Sequence, residues 1–211
     1  NKDSTGTRAV TIDTTAPVVT FNAQTHADNT NQSNTNIYVN VSVTEVNEIN
    51  ISFRIYYSNG TLLNSTTYTD QTRSINFTSL SDNTYEFNVT VADNVSNKGT
   101  SGTRSVTVDT VFPTINITNP TVNNSNSSNN GLDILFTFTE INPFECWYSN
   151  DTYSINRSTG GCGINITNIT WSEGNHNVTI FVNDSANNVN RSSISFRIDT
   201  TFPSINITNP D

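Results

Sequence analysis

Gly-Thr-Arg-Ala-Val-Thr-Ile-Asp-Thr-Thr-Ala-Pro occupies residues 6–17, and Gly-Thr-Arg-Ser-Val-Thr-Val-Asp-Thr-Val-Phe-Pro occupies residues 102–113. Ser-Ser-Ile-Ser-Phe-Arg-Ile-Asp-Thr-Thr-Phe-Pro at residues 192–203 is a third, more divergent copy. The copies start roughly 90–96 residues apart, which is the length of a small β-sandwich domain. Each copy is typical of a strand, then Asp-Thr-x-x-Pro, then a new strand, because proline tolerates the first position of a strand.

The repeat divides the chain into two complete domains, which we place at residues 15–110 and 111–200. Residues 1–14 match the last strand of a preceding or neighbouring domain. Residues 201–211 match the first strand of a following or neighbouring domain. We therefore expect either a window on a longer array or a subunit that completes itself with its neighbours.

Apolar and polar residues alternate along many short segments, as they do in strands of half-buried sheets. Ile37, Val39 and Val41 fall on one face of such a segment, and Tyr85 and Phe87 begin another. No segment shows the period of an α-helix, so the sequence predicts an all-β fold. The predicted strands are 17–22, 36–44, 50–57, 61–68, 72–78, 84–92 and 102–109, followed by 114–118, 132–139, 144–149, 152–157, 163–170, 175–183 and 191–198.

The composition supports thin sandwiches rather than disorder. Only 33% of the 211 residues are hydrophobic and 13% are charged, whereas disorder usually combines low hydrophobicity with high charge. The net charge is −9, and the nine basic residues are scattered, so the sequence gives no electrostatic footprint for nucleic acid. No apolar run reaches the ~18 residues that a membrane-spanning helix needs.

Two motifs resemble known domains. Residues 80–93, with the pattern Leu-x-Asp-x-x-Tyr-x-Phe-x-Val-x-Val-x-Asp, resemble the tyrosine corner and sixth strand of immunoglobulin-like and fibronectin-III-like domains. Residues 182–188, followed by a strand and Asp-Thr-Thr-Phe-Pro at 199–203, are similar to immunoglobulin-like repeats of bacterial and archaeal surface proteins. The resemblance implies tandem immunoglobulin-like β-sandwich domains joined end to end, and specifies function poorly. His176 replaces the corner residue Tyr85, and we expect it to pack in the same place.

Asn-x-Ser/Thr sequons, each a potential N-glycan acceptor, recur along the whole chain. Many have an apolar middle residue. Because positions i and i+2 of a strand share a face, the middle residue then enters the core while Asn and its hydroxyl partner face outward. The alternative is that Asn and Thr only form a neutral, soluble face. The predicted acceptors are Asn31, Asn40, Asn50, Asn59, Asn64, Asn76, Asn88, Asn94, Asn116, Asn123, Asn126, Asn150, Asn156, Asn165, Asn168, Asn177, Asn183, Asn190 and Asn206.

Acidic residues lie at matching positions of the two domains. In an immunoglobulin-like domain the chain enters at the end where the second and sixth strands finish, so the linker Asp lies near the loops that follow them. This gathers Asp13, Glu45 and Asp93 in one domain, and Asp109, Glu140 and Asp184 in the next. Such sets suit Ca²⁺, which takes about 6–8 oxygen ligands and would fix the angle between domains. Asx-turns that cap loops explain the same residues without a metal.

Cys146 and Cys162 are the only cysteines. Two cysteines cannot make a zinc site alone, and their spacing is not that of a redox CxxC motif. We predict a disulfide whose loop of roughly 15 residues contributes about 3 kcal/mol. Two reduced core cysteines are the alternative.

Aromatic residues cluster in the second domain. Trp147, Tyr148 and Tyr153 surround a predicted hairpin, with Trp171 farther along the chain. Exposed aromatic rings would stack on sugars. We favour the other interpretation, in which Trp147, next to Cys146 on the third strand, packs in the core.

These features predict a non-enzymatic structural repeat of an extracellular filament, stalk or cell-surface array. The sequence contains no catalytic motif and requires no cofactor; covalent N-glycans are expected, and Ca²⁺ at the joints is one of the two interpretations of the acidic sets. Self-association by β-strand complementation is the expected partnership, with no nucleic acid and no membrane span. The alternative is an adhesin that binds carbohydrate or a partner cell, and a spacer in a secreted hydrolase is the weakest option.

Overall fold

The computed structural model describes residues 6–10, 12–151 and 156–207, with only the backbone of Asn156. It divides into two compact units, Asn1–Asp109 (unit 1) and Thr110–Asp211 (unit 2). All regular elements of the described residues are β-strands, which confirms the predicted all-β class. No described segment forms a helix with the length and hydropathy that crossing a bilayer demands.

Unit 1 is a sandwich of two sheets. Its strands are β1 (Val18–Phe21), β2 (Thr30–Gln32), β3 (Ile37–Thr44), β4 (Glu48–Tyr57), β5 (Leu62–Tyr68), β6 (Ser74–Phe77), β7 (Asn83–Asp93) and β8 (Lys98–Val108). One sheet has the order β1-β3-β6, and the other has the order β2-β8-β7-β4-β5. Strands β5 and β6 are therefore edge strands of different sheets.

The core of unit 1 follows the predicted alternation. Ile37, Val39 and Val41 of β3 are buried, and so are Phe53 of β4 and Phe87 of β7. The residues between them face away from the core and are polar or half-buried. Burying each such side chain stabilises the fold by about 1.5–3 kcal/mol, so these strands hold the sandwich together.

Unit 2 has seven strands within the described residues. They are β9 (Thr114–Asn119), β10 (Ser125–Ser127), β11 (Leu135–Thr139), β12 (Pro143–Asn150), β13 (Asn156–Ser158), β14 (Gly174–Asp184) and β15 (Val189–Ile198). A sheet of order β10-β15-β14-β12-β13 faces the pair β11-β9. The described core contains Ile134, Phe136, Val178, Ile180 and Phe196.

One predicted strand is wrong. Residues 163–170 form no strand, and the segment makes only a single antiparallel bridge between Ile134 and Ile166. Within this segment Gly163 and Asn168 have positive φ, which an extended strand does not accommodate. Most of the predicted strand 152–157, including Tyr153, lies outside the described residues.

Two short strands, β2 and β10, were not predicted from the sequence. Strand β2 pairs in parallel with β8, and β10 pairs in parallel with β15. Their sequences, Thr-Asn-Gln and Ser-Asn-Ser, contain no apolar residue and so carry no alternation. They are added to each sheet by backbone hydrogen bonds, which composition does not reveal.

The described residues of the two predicted flanking segments form no strand. The described parts of the N-terminal segment, residues 6–10 and 12–14, pair with no sheet, and neither do residues 201–207. An edge strand exists only with a partner, so their assignment to neighbouring domains stays a prediction.

Candidate functional site

The first predicted acidic cluster is assembled in unit 1. Asp13 precedes the first strand, Glu45 follows β3, and Asp93 ends β7. One carboxylate oxygen from each of the three lies within 4.8 Å of the others. Because Ca²⁺ binds each oxygen ligand at about 2.3–2.6 Å, oxygens this close to one another are able to reach a single ion. The topology therefore brings together the side chains that the sequence singled out.

Asp93 is the buried centre of this cluster, with 2% of its surface exposed. Its Oδ1 accepts hydrogen bonds from the backbone N–H groups of Val95 (3.0 Å) and Asn97 (2.9 Å), and its Oδ2 accepts one from Asn97 Nδ2 (2.7 Å). Burial would raise the pKa of Asp93, but these hydrogen bonds from the turn outweigh burial, so the pKa lies below its ordinary value. The carboxylate is held in its charged form.

Asn97 connects the cluster to the entering chain. Its Nδ2 lies 3.2 Å from the backbone oxygen of Asp13 and 3.3 Å from that of Thr15, besides its bond to Asp93. The Asp13 and Glu45 carboxylates each also accept a backbone N–H two residues farther on. The structure thus shows the Asx-type turns that the sequence offered as the alternative to a metal.

Unit 2 repeats the turn geometry. Asp184 is fully buried, and its Oδ1 accepts the N–H groups of Ala186 and Asn188 at 2.8 Å each. Asn188 Nδ2 donates to Asp184 Oδ2 at 2.7 Å, as Asn97 does in unit 1. Glu140 lies within 4.8 Å of Asp184. Asp109, the remaining predicted member of this set, is the last residue of unit 1.

The two asparagines of these turns were not predicted as site residues. Their signal is Asp-x-x-x-Asn, which reads Asp93 to Asn97 in one unit and Asp184 to Asn188 in the other. Because Asn is abundant in this chain, one occurrence of this spacing is a weak signal. The repetition at matching positions would have revealed it.

Most of the predicted glycan acceptors present their side chains to solvent. The exposed ones are Asn31, Asn59, Asn64, Asn76, Asn94, Asn116, Asn123, Asn126, Asn165, Asn168 and Asn206. The half-buried ones are Asn40, Asn50, Asn88, Asn150, Asn177 and Asn190, and the side chain of Asn156 lies outside the described residues. An attached sugar needs an accessible Nδ2, so the exposed group is the better set of acceptors.

Asn183 differs from the others. It is 8% exposed, and its Nδ2 lies 3.4 Å from Asn187 Oδ1. Asn177 and Asn190 also use Nδ2 in short contacts, donating to Ser195 Oγ and to the Pro113 carbonyl at 2.8 Å. The folded state leaves no room for a sugar on Asn183 and would have to give up a hydrogen bond at the other two.

The corner residue of unit 1 is Tyr85, whose hydroxyl donates to the backbone oxygen of Ser81 at 2.8 Å. His176 takes this place in unit 2. It is buried, and its Nε2 lies 2.9 Å from the backbone oxygen of Ser172, again four residues upstream. Its Nδ1 lies 3.1 Å from Asp151 Oδ1. The expected packing role of His176 matches this geometry.

Trp147 was wrongly assigned to the core. Cys146 faces the core, so Trp147, the next residue of β12, lies on the opposite face of the sheet. There it stacks on Phe181 of β14, with ring centroids 5.2 Å apart and planes 5° apart. The core tryptophan is instead Trp171, which contacts Phe196 edge-to-face.

The cysteines form a disulfide. Cys146 of β12 is bonded to Cys162, with Cα atoms 5.0 Å apart. The same segment is tied to β12 a second time, because Thr159 Oγ1 donates to the Cys146 carbonyl at 3.1 Å. These links hold residues 159–162 against the edge of the sandwich.

No protein-family model matches the chain, and no curated protein matches it significantly. Among solved structures, the chain is similar to the fibronectin(III)-like modules of CbhA from Clostridium thermocellum, with 16% identity, a TM-score of 0.50 and coverage of 91% of this chain and 100% of that one. A tetra-tandem repeat from the extending region of a large adhesion protein is 17% identical over 90% of this chain and 51% of that one (TM-score 0.40).

A 1.5-MDa bacterial ice-binding adhesin is 14% identical over 90% of this chain and 67% of the solved chain (TM-score 0.35). At these identities the likeness to the CbhA modules shows the fold alone. The chain has a fibronectin-III-like, immunoglobulin-like β-sandwich architecture, as its motifs predicted.

Proposed function

We propose that this chain is a glycosylated structural repeat segment of an extracellular surface protein. The observation that carries the proposal is the orientation of its sequons. In Asn76-Phe77-Thr78 of unit 1 and in Asn165-Ile166-Thr167 of unit 2, the apolar middle residue is buried while the Asn and Thr residues on either side of it are exposed. The same tripeptide thus builds the core and presents a glycan acceptor, and it recurs in both units.

Two further observations support an extracellular setting. Disulfides such as Cys146–Cys162 persist in oxidising compartments and are rare in the cytosol. Exposed edge strands, which invite aggregation, lie beside sequons at Asn64 in β5 and Asn76 in β6. A glycan there would block edge-to-edge pairing with other proteins.

Glycosylation is tested on native material. We expect intact-mass analysis to give species well above the 23.2 kDa of the polypeptide. Glycopeptide mapping should find sugars at exposed acceptors such as Asn94 and Asn116, and none at buried Asn183. The same chain expressed in a host without N-glycosylation provides the reference mass. A native mass equal to the polypeptide would remove the proposal, and a sugar on Asn183 would contradict the burial argument.

We also propose association through the terminal segments. Val10 and Ile12 are 82% and 84% exposed. Their counterparts in the next copy of the repeat, Val106 and Val108 of β8, are buried in the core of unit 1. Residues 6–12 therefore have the sequence of a final strand, and the described ones, 6–10 and 12, pair with no strand in the described part of the chain. Addition to the edge of a neighbouring sandwich would cover these apolar side chains.

Sedimentation velocity tests this association. We expect the sedimentation coefficient to rise with concentration, and the rise to disappear in Ile12→Asp, because a charge cannot enter a neighbour's core. Val46→Asp is the matched control, since Val46 is 93% exposed in a loop outside the terminal segments. A monomer at every concentration, or an equal effect of both variants, would contradict strand addition.

Ca²⁺ at Asp13, Glu45 and Asp93 remains part of the proposal. Its support is the convergence of three carboxylates within 4.8 Å on the charged, buried Asp93. An ion there would fix the entering chain against the loops that follow β3 and β7, and so stiffen the joint of the repeat.

The alternative function is adhesion, and one observation favours it. The Trp147–Phe181 pair stands on the outer face of unit 2, where Ser52 and Thr90 occupy the matching positions of unit 1. Outer-face aromatic rings of this kind stack on sugars. Binding to a glycan array that disappears with Trp147→Ala would favour adhesion over a purely structural role.

A further inference from the structure

Unit 1 has an open cleft between its edge strands. Its volume is about 370 Å³, and its lining includes Tyr57, Leu63, Asn64, Ile75, Asn76 and Phe77. These residues come from β4, β5 and β6, so the cleft lies where the two sheets part at one side of the sandwich. Its volume is at the lower end of the range of ligand pockets, about 300–1,000 Å³.

Asn64 is both accessible and directed toward this cleft. It pairs with Ile55 across β4 and β5, and directly opposed residues of antiparallel strands share a face. Ile55 is fully buried, so Asn64 lies on the inner face of its sheet. It is nevertheless exposed because β5 is an edge strand. This orientation is the reverse of the Asn-apolar-Thr sequons, whose asparagines face away from the core.

We propose that the N-glycan attached to Asn64 folds back into this cleft and closes the open side of unit 1. The inference rests on the proposed glycosylation and adds to it a binding site for the sugar. The cleft is lined by the aromatic rings of buried Phe77 and half-buried Tyr57, and by the exposed hydroxyl residues Ser79 and Ser81. A sugar unit has the same two characters, since its C–H face packs on rings and its hydroxyls bond to amides and hydroxyls.

The covalent bond to Asn64 makes its own glycan the favoured occupant of the cleft. A sugar bonded to Asn64 is present at the cleft at high effective concentration, so weak contacts suffice to hold it there. A free ligand or a protein segment has no such advantage. The sugar would cover Leu63, which is 38% exposed, and shield the unpaired edge of β5.

Unit 2 secures the chain that follows its edge strand by a covalent link. There the chain after the edge strand β13 is bonded to β12 through Cys146–Cys162 and reaches Ile134 at the bridge with Ile166. Unit 1 contains no cysteine. A disulfide therefore cannot secure the edge strands of unit 1.

The test compares Asn64→Gln with Asn59→Gln in the glycosylated protein. Asn59 is a matched control because it is an exposed sequon in the turn before β5 and does not line the cleft. We expect Asn64→Gln to raise hydroxyl-radical oxidation of Leu63 several-fold and to lower the melting temperature by about 4 °C. Asn59→Gln should change neither. In unglycosylated chain, Asn64→Gln should also be without effect.

Site-occupancy mapping separates the outcomes. Occupied Asn64 with the expected rise in Leu63 oxidation supports the inference. If Asn64 carries a sugar but Asn64→Gln has the same Leu63 oxidation and the same melting temperature as Asn59→Gln, the inference is overturned. Sugars at other acceptors with a bare Asn64 overturn the inference and leave the proposed function standing, whereas a chain without any sugar removes both.

Discussion

Replacing Trp171 with alanine is expected to destabilise unit 2 by about 3–5 kcal/mol, the usual result of deleting a buried aromatic side chain. Trp171 is 4% exposed, and its ring packs edge-to-face on Phe196 at a centroid distance of 5.0 Å. Its Nε1 also donates to the Leu132 carbonyl at 2.8 Å. The variant leaves a cavity and removes the hydrogen bond to the partly buried Leu132 carbonyl.

Trp147→Ala is the matched control for this prediction. Trp147 lies on the outer face, where its main contact is the stack with Phe181. Losing an aromatic pair of this kind costs about 0.5–1.5 kcal/mol. Urea unfolding followed by circular dichroism measures both variants. If Trp171→Ala does not fold, Trp171→Phe should still be clearly less stable than the wild type. Equal losses for Trp147→Ala and Trp171→Ala would contradict the assignment of the two tryptophans.

The sequence already held the signal that separates these tryptophans. Cys146 and Trp147 are neighbours in a strand, so they cannot both face the core. A disulfide cysteine that faces inward places its neighbour outward. Trp171 lies between β13 and β14, in no strand of its own. Its burial depends on tertiary contacts with Phe196 and His176, which a local pattern does not contain.

The long strands were predictable because each buries one face. Ile37, Val39 and Val41 gave β3, and Tyr85 and Phe87 gave β7. The failures occur where burial is not periodic. Strands β2 and β10 are polar, and they join their sheets by backbone pairing with β8 and β15. Residues 163–170 alternate like a strand, yet glycines and the link to Cys146 direct the backbone elsewhere.

The acidic cluster of unit 1 was predictable from topology rather than from any motif. Asp13 enters the sandwich at one end, and β3 and β7 finish at that end with Glu45 and Asp93 just beyond or at their last residues. Chain direction alone therefore gathers the three groups. The hydrogen bonds of Asn97 could not be predicted in this way. The direction of the chain shows which residues lie near the cluster, but it does not show how their side chains are oriented.

Calcium is expected to raise the stability of unit 1 if it occupies this cluster. A ligand that binds only the folded state stabilises it by about 2.7 kcal/mol at a concentration 100 times its Kd. Thermal unfolding in calcium and in excess chelator measures the difference. Magnesium is the control, since it demands a smaller octahedral site and keeps several waters. A melting curve that chelator leaves unchanged would contradict a resident calcium ion.

The Glu45→Gln variant distinguishes a calcium site from carboxylates that serve only the turns. The two interpretations predict different changes in the stability of unit 1 when calcium is present. The variant keeps an Oε1 acceptor for the Asn47 N–H, 2.8 Å away, so the turn survives. In chelator, removing one of three neighbouring negative charges should leave unit 1 as stable as before or more stable. In calcium, the loss of an anionic ligand should abolish the ion's stabilisation. Glu86→Gln on the outer face of β7 controls for the change in net charge. The same response of Glu45→Gln in calcium and in chelator would assign these carboxylates to the turns alone.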